Sequence, residues 1–174
     1  MEWIVFFETW IWLGFAACGF AILFNVPPRT LWVIFIMGAL GGTVKLICLK
    51  LGVNIILSSL MGALLIGFLS IRGAHLRHSP PFVFAIPAVI PMVPGAFTYR
   101  MMLGIIHLTG ENDHAVFLQL LQETVDNGLK AFFVLSALSL GVSAPMLLSR
   151  NKSLKETKPN KFLNKLFDSK KASD

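Results

Sequence analysis

Five stretches of the chain are apolar with few interruptions: Trp3 to Phe24, Leu31 to Leu49, Val53 to Ile71, Phe82 to Ile106 and Leu129 to Leu148. A helix needs about 20 such residues to cross a hydrocarbon core. The pattern therefore predicts an all-α integral membrane protein of five transmembrane helices. The connections carry their own signals. Asn25-Val-Pro27-Pro28-Arg29 separates the first two stretches as a tight turn, because the residue before a proline is pushed out of helical geometry and two successive prolines cannot both continue the ladder. Ser79-Pro80-Pro81 opens the fourth stretch, with proline tolerated in a first helical turn. Residues 111–126 are only partly apolar. With Val116, Leu120 and Thr124 on one face, they read as an external helix leading into the fifth span.

The fourth stretch is broken within itself. Pro87-Ala-Val-Ile-Pro91-Met-Val-Pro94-Gly95 sets three prolines and a glycine in apolar surroundings. Each proline in a helix interior removes a donor and clashes with the preceding turn, at a cost of about 3 kcal/mol. Irregular backbone at membrane depth survives only against protein or a water-filled cavity. Discontinuous helices near the bilayer midplane form transporter substrate sites, since half-helix amides attract anions and unwound carbonyls attract cations. The segment from Pro87 to Arg100 is thus the first candidate for a transport site.

Composition excludes an ordinary soluble domain. The chain has 174 residues, of which 55% are hydrophobic and only 14% charged, with mean hydropathy +0.72. Soluble domains carry about 25% charged residues. The first stretch differs from a secretory signal, having no Lys or Arg before Arg29 and Glu2 and Glu8 where a positive region should stand.

Net charge is +6, and its placement sets an expected orientation. Arg150, Lys152, Lys155, Lys158, Lys161, Lys165, Lys170 and Lys171 all follow the last span, and positive residues stay cytoplasmic. Five crossings then put the C-terminus inside and the N-terminus outside. Arg29, Arg72 and Arg77 agree with this assignment, and Lys50 dissents. The expected organisation is one transmembrane domain, residues 1–149, and a basic cytoplasmic tail, residues 150–174. Within the tail, Phe162, Leu163, Leu166 and Phe167 share a helical face between lysines, which suits a short helix on anionic headgroups. Plain disorder is the alternative, and nucleic acid is not the expected partner.

Intramembrane ionisable residues are functional candidates because an unpaired charge there costs several kcal/mol, on the order of 3 at a helix centre. Lys45 either contacts substrate or a counter-ion, or snorkels to the outer surface. Arg100 follows the proline cluster and, with Thr98 and Tyr99, offers a fork of donors suited to a carboxylate. Asp126 and Lys130, spaced i,i+4, read as a structural pair. Ser136, Ser139 and Ser143 share a face of the fifth span and either line a path or bond back to the preceding turn. Small residues at helix-contact spacing, Gly38 with Gly42 and Ser59 with Ala63 and Gly67, read as packing faces. The candidate substrate-binding set is Pro91, Pro94, Gly95, Tyr99, Arg100, Lys45, Ser136 and Ser139.

No cofactor is expected. Cys18 and Cys48 lie in apolar spans and read as small packing residues. His107, Glu111, Asp113 and His114 cluster, but their spacing matches no zinc motif. His75 and His78 stand beside Arg72 and Arg77, where cations repel a metal. G-x-S-x-G, H-E-x-x-H and phosphate-loop patterns do not occur, so a hydrolase or ATPase is not indicated.

Gly19-Phe-Ala-Ile-Leu-Phe24-Asn25-Val26-Pro27, Ala88-Val-Ile-Pro91-Met-Val-Pro94-Gly95 and Ala137-Leu-Ser-Leu-Gly141-Val-Ser143-Ala-Pro145 resemble the small subunit of the split threonine/serine exporter family. The resemblance covers roughly residues 14 to 148. It implies a multi-pass subunit of a secondary exporter in a bacterial inner membrane, moving small carboxylate metabolites: threonine and serine, or succinate in the two-subunit form. It also implies a partner, a larger membrane subunit with a soluble N-terminal domain, and gives weight to Pro91, Pro94, Gly95 and Tyr99. Arg100 as a carboxylate anchor rests on its chemistry. The alternatives are a non-transporting membrane scaffold for a larger subunit, and an ion channel subunit.

Overall fold

In the computed structural model the backbone is described for residues 2–77, 79–110 and 113–154, and side chains for 7–77, 79–110 and 113–149. The expectations for the tail beyond Leu154, for His78 and for Glu111 lie outside these residues. All regular structure described is helical: α1 (Glu2–Leu23), α2 (Leu31–Lys50), α3 (Ile55–Arg77), α4 (Phe82–Val89), α5 (Gly95–Leu108) and α6 (His114–Leu154), with single 3-10 turns at Pro28–Thr30 and Ile90–Met92.

Local chemistry explains the boundaries. After α1, Asn25 takes the left-handed conformation at φ 54°, and the Val26 and Asn25 amides close back on Ala21 and Ile22. Asparagine tolerates that geometry better than most residues. After α2, Gly52 at φ 80° does the same, with Val53 bonding Cys48 and Gly52 bonding Leu49. Asn54 then caps α3 through its side-chain oxygen on the Ile56 amide. The Pro27–Pro28 turn and the Pro80–Pro81 start of α4 fall where the sequence puts them.

Three helical segments, Pro28–Lys50, Ile55–Arg77 and His114–Ser149, are long and apolar enough to span a membrane. Phe82–Met92 and Gly95–Leu108 form a pair bent by 55° that makes a fourth if it is one span, while the apolar run Phe7–Leu23 is shorter than a span. By this measure the described residues supply three or four of the five expected crossings. A second departure concerns the expected external helix at 111–126. It is continuous with the fifth span in α6, which runs 41 residues, about 60 Å. No residue between them forces a break, and Gly128, the weakest helix former there, packs against Met101 of α5.

Broken α4 is the centre of the bundle. Phe84, Ala85 and Ala88 are fully buried and share one core with Ala17 and Ala21 of α1, Ile34 and Met37 of α2, Ala63 and Ile66 of α3, and Val134, Leu138 and Val142 of α6. Small residues set the helix spacing. A Cβ on Gly62 would stand 2.6 Å from the Gly41 carbonyl oxygen, and one on Gly141 would stand 2.6 Å from the Ala63 Cβ. Backbones this close gain packing that side chains between them would prevent.

Contacts also fix direction. Gly73 meets Met37 and Gly62 meets Gly41, so α2 and α3 are antiparallel, while Gly141 meets Ala63 and Pro145 meets Gly67, so α3 and α6 are parallel. The first turns of α6 therefore extend beyond the start of α3. Antiparallel α5 joins them there, interlocked at Gly104 with Thr124, as a hairpin leaving the bundle.

Candidate functional site

The break between α4 and α5 is built by its prolines. Pro94 lacks the amide that would reach the Ile90 carbonyl, and Val93 takes that carbonyl instead at 3.0 Å. Val93 is extended at ψ 134°, and Pro94, at φ −81° and ψ 61°, forms a tight turn in which the Gly95 amide donates to the Val93 carbonyl at 2.9 Å. The ladder does not resume until α5, so the Met92 carbonyl is released from helical bonding.

Lys45 occupies that carbonyl. Its Nζ donates a 2.8 Å hydrogen bond to the Met92 oxygen from a position in α2 five residues before the helix ends at Lys50. The residue is half-buried. Lys45 thus turns inward to the broken helix rather than snorkelling outward. The Met92 side chain is itself buried, with its methyl lying where a Cβ on Gly62 would be, 2.5 Å away. Because α2 and α3 are antiparallel with Gly41 against Gly62, Lys45 stands at the level of Ser58 and Ser59.

Ser59 is fully buried, and its hydroxyl oxygen has no hydrogen-bond partner. Its neighbour Ser58 bonds back to the Val53 and Asn54 carbonyls, and Ser70 to Gly67. An unsatisfied buried hydroxyl costs about 1–3 kcal/mol and calls for a reason. Sequence reading placed Ser59 in a packing face because its spacing with Ala63 and Gly67 gives that signal; only the absence of a local acceptor distinguishes it. Ser59 is near this level but on a different face of α3, the one whose Ala63 and Gly67 meet Gly141 and Pro145 of α6, while Gly62 meets Gly41 and Met92. Lys45 and the Met92 carbonyl therefore make the polar pair at the break, nearer the α2–α3 turn than the midplane.

The remaining sequence candidates lie elsewhere. Pro91 and Pro94 shape the break, but Gly95 is exposed, has no positive φ, and a Cβ there would meet nothing within 4 Å. Tyr99 is exposed on α5, and Thr98 bonds back to the Pro94 carbonyl. The 55° bend carries Arg100 out of the bundle into a groove of about 560 Å³ between α5 and α6, with His107, Glu123, Asp126 and Lys130. Asp126 and Lys130 form the expected i,i+4 pair, and Lys130 also lies 5.9 Å from the Phe97 ring centroid.

Ser136 and Ser139 do not reach the break. The α6 face packed in the core carries Val134, Ala137, Leu138, Gly141, Val142 and Pro145; the serines fall on the opposite face. Ser136 bonds back to the Phe132 carbonyl at 2.9 Å. Ser143 borders a cavity of about 790 Å³ with Ile71, His75 and Pro80, at the end of the bundle away from Lys45. That cavity is larger and mainly apolar, and it holds neither Lys45 nor Arg100. Among the described residues no three metal-ligating side chains come together.

Comparison with known proteins bears on this arrangement. The sequence profile of the family described as threonine/serine exporter, ThrE, matches residues 9–148. A Haemophilus influenzae protein, described as uncharacterized, is 34% identical over 134 residues, which are 76% of this chain and 43% of the relative. The chain therefore spans less than half of that relative's length. No solved structure matches.

Proposed function

We propose, on the premise that this chain belongs to the threonine/serine exporter family, that it is a subunit of a secondary exporter whose substrate carboxylate is received at Lys45 beside the broken helix. The observation that carries this reading is the bond from Lys45 Nζ to the Met92 carbonyl. An ammonium held by one neutral carbonyl is under-compensated, and an anionic substrate offers it a stronger, charge-assisted partner. When the carboxylate takes the ammonium, the Met92 carbonyl is released. The exchange occurs at the hinge between α4 and α5, so occupancy biases their bend and hence the alternation of access.

The exported molecules are small carboxylates: threonine and serine, with succinate as the dicarboxylate case. The membrane is the bacterial inner membrane, with the basic tail inside and the N-terminus outside, and α1 is the fifth crossing. A larger membrane subunit completes the transporter. Support for a partner comes from the relative in which the matched region fills only 43% of the chain.

The test is efflux of threonine, serine and succinate from loaded cells at matched membrane levels of protein. Lys45→Met keeps the stem and removes the charge, and is expected to lower efflux at least tenfold. Lys45→Arg should retain part of it. Wild-type efflux by Lys45→Met would overturn the assignment, and a scaffold role would then be favoured.

A further inference from the structure

We infer that the groove between α5 and the first turns of α6 is a second ligand site, selective for a zwitterion such as an α-amino acid, with Arg100 receiving the carboxylate and Glu123 the ammonium. The inference does not depend on Lys45, which lies in the bundle and outside this groove.

The two helices present matching faces. Phe97, Arg100, Gly104 and His107 recur along α5, and Leu120, Glu123, Thr124, Asn127 and Lys130 along α6, around a space of about 560 Å³. Its floor is fixed by interlocking. A Cβ on Gly104 would fall 2.0 Å from the Thr124 hydroxyl oxygen, and one on Gly128 would fall 2.8 Å from the Met101 sulfur. The Thr124 hydroxyl is held by the Leu120 carbonyl and the Asn127 amide by the Glu123 carbonyl. These bonds leave the Glu123 carboxylate outside the backbone network.

Charge within the groove divides into two parts. Lys130 is neutralised by Asp126 and rests against Phe97. Arg100 and Glu123 line the same space on facing helices, yet among the described residues no ion pair joins them to each other or to another side chain. Both side chains are exposed at the groove, and a molecule bearing both opposite charges offers each of them the partner it lacks. An arginine fork holds a carboxylate through two parallel bonds, and a carboxylate accepts well from an ammonium. A dicarboxylate gains only the arginine and meets repulsion from Glu123 and the nearby Asp126. The groove therefore discriminates between amino acids and dicarboxylates, which a single lysine at the break does not.

The full chain in lipid nanodiscs provides the test, titrated with threonine and with succinate in a Lys45→Met background so that the break site is silent. Threonine is expected to bind, and Arg100→Gln and Glu123→Gln are each expected to weaken it at least tenfold. Glu123→Gln should also bring succinate affinity up to or above that for threonine. Undiminished threonine binding in both groove variants overturns the inference, as does the absence of threonine binding to the Lys45→Met chain. Neither result bears on Lys45, whose role is read from efflux.

Discussion

Lys45 and Ser59 are two polar side chains held in apolar surroundings, and they answer to different physics. Lys45 has found a carbonyl, so removing its charge leaves the Met92 oxygen without a donor. Lys45→Met is therefore expected to lower thermal stability as well as export, and Lys45→Arg to restore more stability than transport. Ser59 has no acceptor, so Ser59→Ala loses no bond and removes an unsatisfied group. It is expected to leave the melting temperature unchanged or raised. A melt of purified protein in detergent set beside efflux from cells checks both. A clear loss of stability in Ser59→Ala would mean that the hydroxyl serves the fold. Gly62→Ala sets the opposite case. Its Cβ meets the Gly41 carbonyl at 2.6 Å, and backbone cannot step aside cheaply, so a loss of about 1–3 kcal/mol is expected. Gly95→Ala, with open space around its Cβ, should be near neutral in both assays.

At the scale of the element, the break is a property of prolines rather than of the glycine beside them. Replacing Pro91 and Pro94 by Ala, together with Gly95→Ala, lets α4 and α5 close their ladder. Each proline removed returns up to about 3 kcal/mol of helix stability. Closure also returns the Met92 carbonyl to an intrahelical amide and takes it from Lys45. The triple variant should therefore gain helical content by circular dichroism while losing export. Wild-type efflux in that variant would make the break a packing device. The same bend determines the fate of α5. Continuing straight from α4, it would have brought Arg100 along the bundle; bent by 55°, it packs on α6 and carries Arg100 into a separate groove.

For the whole molecule, orientation and partnership are the testable claims. A cysteine at position 110, in the turn between α5 and α6, should react with an impermeant reagent in intact cells, while one at position 160 should not; the reverse pattern would overturn the five-span arrangement. If a larger partner completes the transporter, liposomes holding this chain alone should show little efflux compared with liposomes holding both, and equal rates would remove the need for a partner. What the sequence determined by itself was the solvent and the punctuation. Apolar runs of span length declared a helical membrane protein, and Pro27-Pro28, Pro80-Pro81 and the cluster from Pro87 to Gly95 fixed the interruptions, because backbone donors and φ angles are local properties. It also paired Asp126 with Lys130, since i,i+4 neighbours meet on any helix. Tertiary structure decided which polar groups share a site. Whether Lys45 points inward depends on where α4 breaks relative to α2. Whether Ser136 and Ser139 line a path depends on which face of α6 meets α3, and whether Ser59 is a packing residue depends on acceptors contributed by other helices. These are relations between elements far apart in the chain, and in a bundle apolar inside and out the hydrophobic pattern does not encode which face is which.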